Sequence, residues 1–229
     1  SGKPVAQEIV DLIPHTLQLT LASVLISVIV GVPLGYVAVL KKDTWTDAIC
    51  RLFGLLGISV PSFFFAIMLL LLFSLKIPLF PSMGVGEGWK DNLYHLALPA
   101  LSLGLIEAGI VMRMTRSSML EELNKDYVRT ARAKGVPKNL VLVKHVLRNT
   151  LIPVITVIGL NITTLISGAV LTETVFSRPG LGSLVVGAII NRDYPILQGC
   201  LVLFSMMVIF VNLLVDLSYS LLNPRVRLK

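Results

Sequence analysis

Long apolar stretches almost free of Asp, Glu, Lys and Arg alternate along the chain with shorter connections that hold most of the charges. About 20 apolar residues in a helix cross the hydrocarbon core of a bilayer. Five stretches are long enough; Glu107 interrupts the third, and the charge-free part of the fifth ends just before Asp216. The pattern predicts an all-α membrane domain covering residues 1–229, with spans at about 12–40, 52–75, 95–115, 150–172 and 196–220.

Composition supports this prediction. Hydrophobic residues make up 55% and charged residues 14% of the 229, and the mean hydropathy is +0.83. Soluble domains carry about 25% charged residues, and disordered chains are poor in apolar ones, so both classes are excluded. The net charge of +7 does not indicate a nucleic-acid partner, because the location of the charges follows the predicted spans.

The basic residues predict an orientation in the membrane. Connections 41–51, 113–148 and 225–229 contain 15 of the 20 Lys and Arg residues. The positive-inside rule places these segments, including the C-terminus, in the cytoplasm and residue 1 outside. Because no signal pattern precedes the first span, we expect a sixth, N-terminal helix in the gene product.

The connection 113–148 is patterned and is predicted to be ordered. Every fourth residue in 118–133 is apolar, which places one stripe on a helix: Met119, Leu123, Tyr127 and Ala131. Gly135 is a predicted helix stop, and Pro137 suits the first turn of a second helix. This helix–Gly–helix element is either an amphipathic pair resting on anionic lipid or a docking element for a cytoplasmic partner.

A resemblance favours docking. DYVRTARAKG from Asp126 and HVLRNTLIPV from His145 resemble the cytoplasmic coupling motif of ABC-importer permeases of the dipeptide/oligopeptide/nickel type. Further blocks agree in order along all 229 residues: GVPLG, GISVPSF, LPALSLG, ETVFSRPGLG and NRDYPILQG. The broader importer motif begins Glu-Ala-Ala, where this chain has Arg129-Thr130-Ala131, and this departure is similar to the peptide branch of the family.

The resemblance implies a type I ABC importer permease fold with a coupling helix pair between the third and fourth spans, in a bacterial or archaeal inner membrane. It implies four partners: a second, homologous permease subunit, two ATPases and an external solute-binding protein. Short peptides are the favoured substrate, and nickel, glutathione-like peptides and oligosaccharides remain open.

Motif searches argue against catalysis by this chain. It has no G-x-x-x-x-G-K-[ST] loop to bind nucleotide phosphates, no H-E-x-x-H helix and no C-x-x-C pair. We therefore predict no enzyme activity, no metal site and no bound cofactor, with ATP and Mg²⁺ used by the partner subunits. A secondary transporter is the alternative class, but it would need inverted repeats and several buried ionisable residues.

There are three groups of candidate residues: the first and third follow from the resemblance, and the second consists of polar residues inside the predicted spans. ATPase contacts are expected at Arg129, Thr130, Ala131, Arg132, Ala133, Lys134, Gly135, Val136 and Pro137. Glu107 and Asn161 either line the transport path or pair structurally. The outer loop either closes the exit near the binding protein or is an ordinary turn: Phe176, Ser177, Arg178 and Pro179. We expect Asp216 to pair with a basic group, Pro33 and Pro61 to kink helices, and Pro153 to begin a span.

Overall fold

The computed structural model describes residues 4–222, apart from the side chains of Lys138, Asp216 and residues 218–222, and it contains no strand in that range. The helices are α1 (Val5–Leu40), α2 (Trp45–Ser59), α3 (Ser62–Leu70), α4 (Gly88–Leu123), α5 (Asp126–Ala133), α6 (Lys138–Leu140), α7 (Arg148–Val175), α8 (Leu181–Asn191) and α9 (Tyr194–Leu222). Two π-helical segments, Leu71–Lys76 and Val141–Leu147, extend α3 and join α6 to α7. The expected partner of Asp216 lies outside what the structure describes.

Helix α4 lies at the centre of the bundle and contacts α1, α2, α3 and α7. Its contact with α1 depends on two glycines. A Cβ atom on Gly31 would lie 2.7 Å from the carbonyl oxygen of Ala108, and one on Gly35 would lie 2.6 Å from Cβ of Thr115. Small residues at such contacts allow helix backbones in membranes to approach closely.

The length and composition of the described helices agree with a membrane domain. Four helical stretches are long and apolar enough to span a bilayer, or five if one bent pair counts as a span. Helix α1 leaves large apolar side chains exposed on one side, with Leu21, Leu25 and Ile29 each at least 60% exposed. In a bilayer such a face contacts lipid or another apolar helix rather than water.

The predicted span 52–75 corresponds to a bent pair of helices, and the expected kink at Pro61 is confirmed. Helix α2 ends at Ser59, α3 begins at Ser62, and the two helices are bent by 106°. Pro61 lacks a backbone N–H and disfavours helical geometry in the residue before it, and Val60 is extended, with φ −95° and ψ 123°. Pro33, by contrast, lies inside an uninterrupted α1.

Three further expectations need correction. The predicted helix 118–133 is divided at Asn124, whose side-chain amide bonds back to the carbonyl of Leu120 and ends α4. Pro153 does not begin a span but lies inside α7, which starts at Arg148. The outer connection 173–193, where only a loop or turn at 176–179 was expected, contains the eleven-residue helix α8.

Candidate functional site

The helix–Gly–helix element forms a rigid turn, which we call the elbow (residues 126–147). Gly135 has a φ of 77°, a conformation that glycine adopts without steric cost. The N–H of Val136 donates to the carbonyl of Ala131 at 3.2 Å, and the N–H of Gly135 donates to that of Arg132 at 3.0 Å. These two bonds form a Schellman motif, so the predicted stop at Gly135 is confirmed.

The elbow has its own apolar core. Buried Val128, Val141, Leu142 and Val146 pack with Val39 and Met119 from α1 and α4. The predicted stripe residues Leu123, Tyr127 and Ala131 pack against this cluster. The elbow is therefore attached to the bundle through α1 and α4 rather than hanging from a flexible loop.

Polar bonds reinforce this attachment at Tyr127. Its hydroxyl donates to Oε2 of Glu122 at 2.6 Å and accepts from the side-chain amide of Asn149 at 3.1 Å. Burial, together with the hydrogen bond to Glu122, raises the pKa of the Tyr127 hydroxyl above its ordinary value. The bonds connect the end of α4 and the start of α5 to the start of α7.

The structure brings the nine candidate ATPase-contact residues together on the elbow. Ala131 and Val136 are half-buried against its core, and the other seven are exposed: Arg129, Thr130, Arg132, Ala133, Lys134, Gly135 and Pro137. A Cβ atom added to Gly135 would meet nothing within 4 Å. The outer side of the turn is thus a surface that a partner could cover.

A second polar cluster lies where α7, α8 and α1 meet. The Glu173 side chain is fully buried, and its carboxylate accepts bonds from the hydroxyl of Thr16 (2.6 Å) and from the N–H groups of Gly182 (2.8 Å) and Ser183 (3.1 Å). The Thr16 hydroxyl also accepts the N–H of Leu181 at 2.9 Å. Donors at the start of α8, which would otherwise be unpaired, are satisfied in this way.

The four outer-loop candidates divide into two buried and two accessible residues. Phe176 and Arg178 are only 2% and 1% exposed, whereas Ser177 is exposed and Pro179 half-buried. Arg178 Nη2 donates to Oδ1 of Asn92 at 3.1 Å. Between residues 149 and 191, Glu173 and Arg178 are the only charged residues, and that isolation in an apolar sequence was the available sign that both are buried.

Glu107 and Asn161 contact each other between α4 and α7. The Asn161 amide donates to Oε1 of Glu107 at 2.5 Å, and Glu107 is 4% exposed. A buried carboxylate in a membrane span needs a polar partner, and Asn161 is that partner here. The spacing of 54 residues explains why sequence alone could name both residues without pairing them.

One buried ion pair was absent from the sequence-based candidates. Asp47 of α2 is fully buried and binds Arg116 of α4 through both carboxylate oxygens. The two residues are 69 positions apart, and neither belongs to a recognised motif. In the sequence, only the spacing of four residues between Asp47 and Arg51 indicates an ion pair on one helix, and nothing indicates Arg116 as a partner of Asp47.

A bundle of long apolar helices with an exposed elbow defines a multi-pass membrane protein. A family model described as binding-protein-dependent transport system inner membrane component matches residues 31–228. The chain belongs to this family of multi-pass inner-membrane permeases.

Named relatives agree. The chain is 41% identical to the dipeptide transport system permease protein DppB of Escherichia coli K12, over 99% of this chain and 74% of the relative. It is 43% identical to a putative peptide transport system permease protein of Brucella abortus (99% and 73%). It is 40% identical to the glutathione transport system permease protein GsiC of Escherichia coli K12 (100% and 73%).

Solved structures support the fold. A chain of the MetNI methionine ABC transporter, in an inward-facing conformation, superposes with a TM-score of 0.79 at 18% identity, covering 97% of this chain and 100% of that one. A chain of an amino acid ABC transporter gives 0.70 at 12% identity, covering 94% of each. The predicted type I importer permease fold is thus confirmed.

Family membership determines the general activity. The chain is a permease component of an ABC importer and not an enzyme, and importers of this kind work with ATPase and binding-protein partners. The alternative of a secondary transporter is therefore wrong.

Proposed function

We propose that the chain forms half of the transport path of an ATP-driven importer of dipeptides or oligopeptides. The relatives named for a substrate act on dipeptides, peptides or glutathione, which share peptide chemistry. The observation that carries the coupling part of the proposal is the elbow, an exposed surface supported by its own core.

The proposed assembly contains this chain, a second homologous permease subunit, two ATP-binding cassette subunits and an external solute-binding protein. ATP and Mg²⁺ are bound by the ATPases. The basic residues support an orientation with the elbow and the C-terminus in the cytoplasm and residue 1 outside.

Residues 130–137 together with Arg129 are the proposed ATPase contact. A docked ATPase can move the membrane helices only if the segment that connects them to it is stiff. The Schellman turn at Gly135 and the packed Val128 supply that stiffness. Exposed Arg129, Arg132 and Lys134 give this surface a positive charge that suits acidic groups on a partner.

Glu107 and Asn161 are the proposed polar residues of the path. The pair lies between α4 and α7, and in the path the carboxylate would attract the cationic amino terminus of a peptide. Glu107→Gln retains an acceptor for Asn161 but loses the charge, so uptake of a free-amino dipeptide should fall. Unchanged uptake of every substrate would remove Glu107 from the path.

The outer loop is proposed to close the external end near the binding protein. Ser177 and Pro179 are the accessible residues for that contact, while the buried side chains of Phe176 and Arg178 position the loop. Cross-linking from Ser177→Cys to the binding protein tests this arrangement, and its absence under all nucleotide conditions would contradict it.

The decisive experiment compares two glycines with the same backbone geometry at different places. Gly135 and Gly84 have φ angles of 77° and 82°, and a Cβ atom on either would meet nothing within 4 Å. Gly135→Trp and Gly84→Trp therefore impose similar strain within the chain. Each variant is purified with its ATPases and assayed for uptake of a labelled dipeptide into proteoliposomes.

We expect Gly135→Trp to lose ATPase co-purification or ATP-driven uptake by about tenfold, as for a coupling change of 1–3 kcal/mol. Gly84→Trp should retain ATPase binding. If both variants behave alike, the elbow is not the contact. If ATPases never co-purify with the parent protein, the importer assembly itself is wrong.

A further inference from the structure

The carboxylate of Asp47 joins three parts of the chain. Arg116 donates Nε to Oδ1 at 2.7 Å and Nη2 to Oδ2 at 2.9 Å, in a bidentate pair. The backbone N–H of Asp43, in the turn between α1 and α2, donates to Oδ2 at 3.2 Å, and Nε of Arg51 lies 3.6 Å from the same atom. Bidentate Arg–carboxylate pairs fix relative orientation as well as distance.

Beyond this pair, α2 and α4 stay in close contact. A Cβ atom on Gly54 would lie 2.5 Å from Cε of Met112 and 2.8 Å from Cγ of Arg113. One on Gly57 would lie 2.8 Å from the carbonyl oxygen of Ile106. Because the contact leaves no room for a side chain at either glycine, α2 cannot slide or roll along α4 without losing its packing.

The packed pair of α2 and α4 is connected to the elbow at the end of α4 and to a bend in the chain at the end of α2. Helix α4 continues from Arg116 to Leu123 and is followed almost at once by α5 of the elbow. Helix α2 ends at Ser59, and the chain then bends by 106° into α3.

We propose that Asp47 and Arg116 are a positioning pair that makes α2 move as one body with α4 and the elbow. Displacement of the elbow then moves α4 and α2 together, and the angle between α2 and α3 changes at Pro61. This inference rests on the proposed coupling role of the elbow. It assigns the pair no contact with substrate or nucleotide.

A buried ion pair by itself does not require this role. Replacing such a pair with apolar residues of similar volume is often neutral for stability, because desolvation offsets much of the attraction. What an apolar pair lacks is the bidentate geometry that sets the register between two helices. Asp47→Leu with Arg116→Met therefore separates positioning from stability.

We expect the Leu/Met double variant to retain its thermal midpoint and its ATPases while ATP-driven uptake falls by about tenfold. ATP hydrolysis should continue without transport. Uptake equal to the parent at an unchanged midpoint would overturn the proposal. Lys42→Gln is the control, since Lys42 lies 4.0 Å from Asp43 in an exposed pair and should leave uptake unchanged.

A covalent bridge keeps the test decisive if that variant does not fold. Asp47→Cys and Arg116→Cys are introduced after replacing the two native cysteines, Cys50 and Cys200, with Ala. The free dithiol should transport poorly, and bridging it with a short bifunctional methanethiosulfonate should return uptake to within about twofold of the cysteine-free parent.

The outcomes separate the two hypotheses. If bridging abolishes uptake, α2 must move against α4 and the inference is wrong, although coupling through the elbow still holds. If the unbridged dithiol already transports at the parent rate, the pair does not position α2. If Gly135→Trp is also fully active, coupling through the elbow has itself failed.

Discussion

Glu173 of α7 accepts a 2.8 Å hydrogen bond from the N–H of Gly182, so a side chain at the end of one helix caps the start of another. Gly182 has no room for a side chain, because a Cβ atom would lie 3.0 Å from Oε2 of Glu173 and closer still to Val170. The bond also explains why α8 follows α7 after so short a turn: its first donors are already satisfied.

Removing this cap should destabilise the protein. Glu173→Ala leaves buried donors on Thr16, Gly182 and Ser183 without an acceptor, at a cost of about 1–3 kcal/mol each. Glu173→Gln keeps one carbonyl oxygen and should fall between Ala and the parent. Thermal unfolding in detergent measures the order. Thr174→Ala, whose exposed hydroxyl bonds only to its own helix, is the control and should be neutral.

Glu173 and Arg178 should be energetically coupled. Both side chains are buried close together, and their opposite charges attract each other. Arg178→Met alone leaves the carboxylate without this nearby charge, whereas Glu173→Gln with Arg178→Met removes both charges. The double variant should therefore lose less stability than the sum of the single losses, by about 0.5–3 kcal/mol. Additive losses would show that Arg178 acts through its hydrogen bonds to Asn92 and Gln18 and not through Glu173.

Two glycines should respond to alanine in opposite ways. Gly35→Ala places a methyl group 2.6 Å from Cβ of Thr115 and should cost about 1–3 kcal/mol by separating α1 from α4. Gly187 lies in α8 with nothing within 4 Å of an added Cβ, so Gly187→Ala should stabilise by about 0.5–1 kcal/mol. Unfolding midpoints of both variants check the contrast, and equal effects would contradict the close α1–α4 contact.

Loss of the Tyr127 hydroxyl should loosen the elbow without unfolding the bundle. Tyr127→Phe removes the bonds to Glu122 and Asn149, worth about 1–2 kcal/mol together. Amide hydrogen exchange should rise in α5 and stay unchanged in α8. Exchange that is unaltered in both helices would show that the apolar core alone holds the elbow in place.

Local patterns in the sequence predicted the elbow well. The spacing of Met119, Leu123, Tyr127 and Ala131 predicted the stripe, and Gly135 predicted the stop, because both depend on neighbours within a few residues. Even here the interruption at Asn124 was missed. A stripe continues in register across a short break, so periodicity does not reveal it.

Long-range contacts could not be predicted. Thr16 and Glu173 are 157 residues apart, and nothing in the sequence around either residue indicates that the two are in contact. The expected kink at Pro61 is present, but its angle of 106° could not be predicted, since a straight span and a strongly bent one have the same apolar composition. Arg178 was assigned to the outer loop through the family resemblance, which does not indicate burial, and a membrane bundle can bury charged residues in polar clusters.

Residues 138–175 form one unbroken helical stretch, from the turn after Gly135 to the cap at Glu173. At 1.5 Å per residue it is about 55 Å long. A few degrees of tilt of this stretch at its Gly135 end would move its far end by several ångströms. The buried carboxylate of Glu173 lies near that far end, where the displacement would be largest.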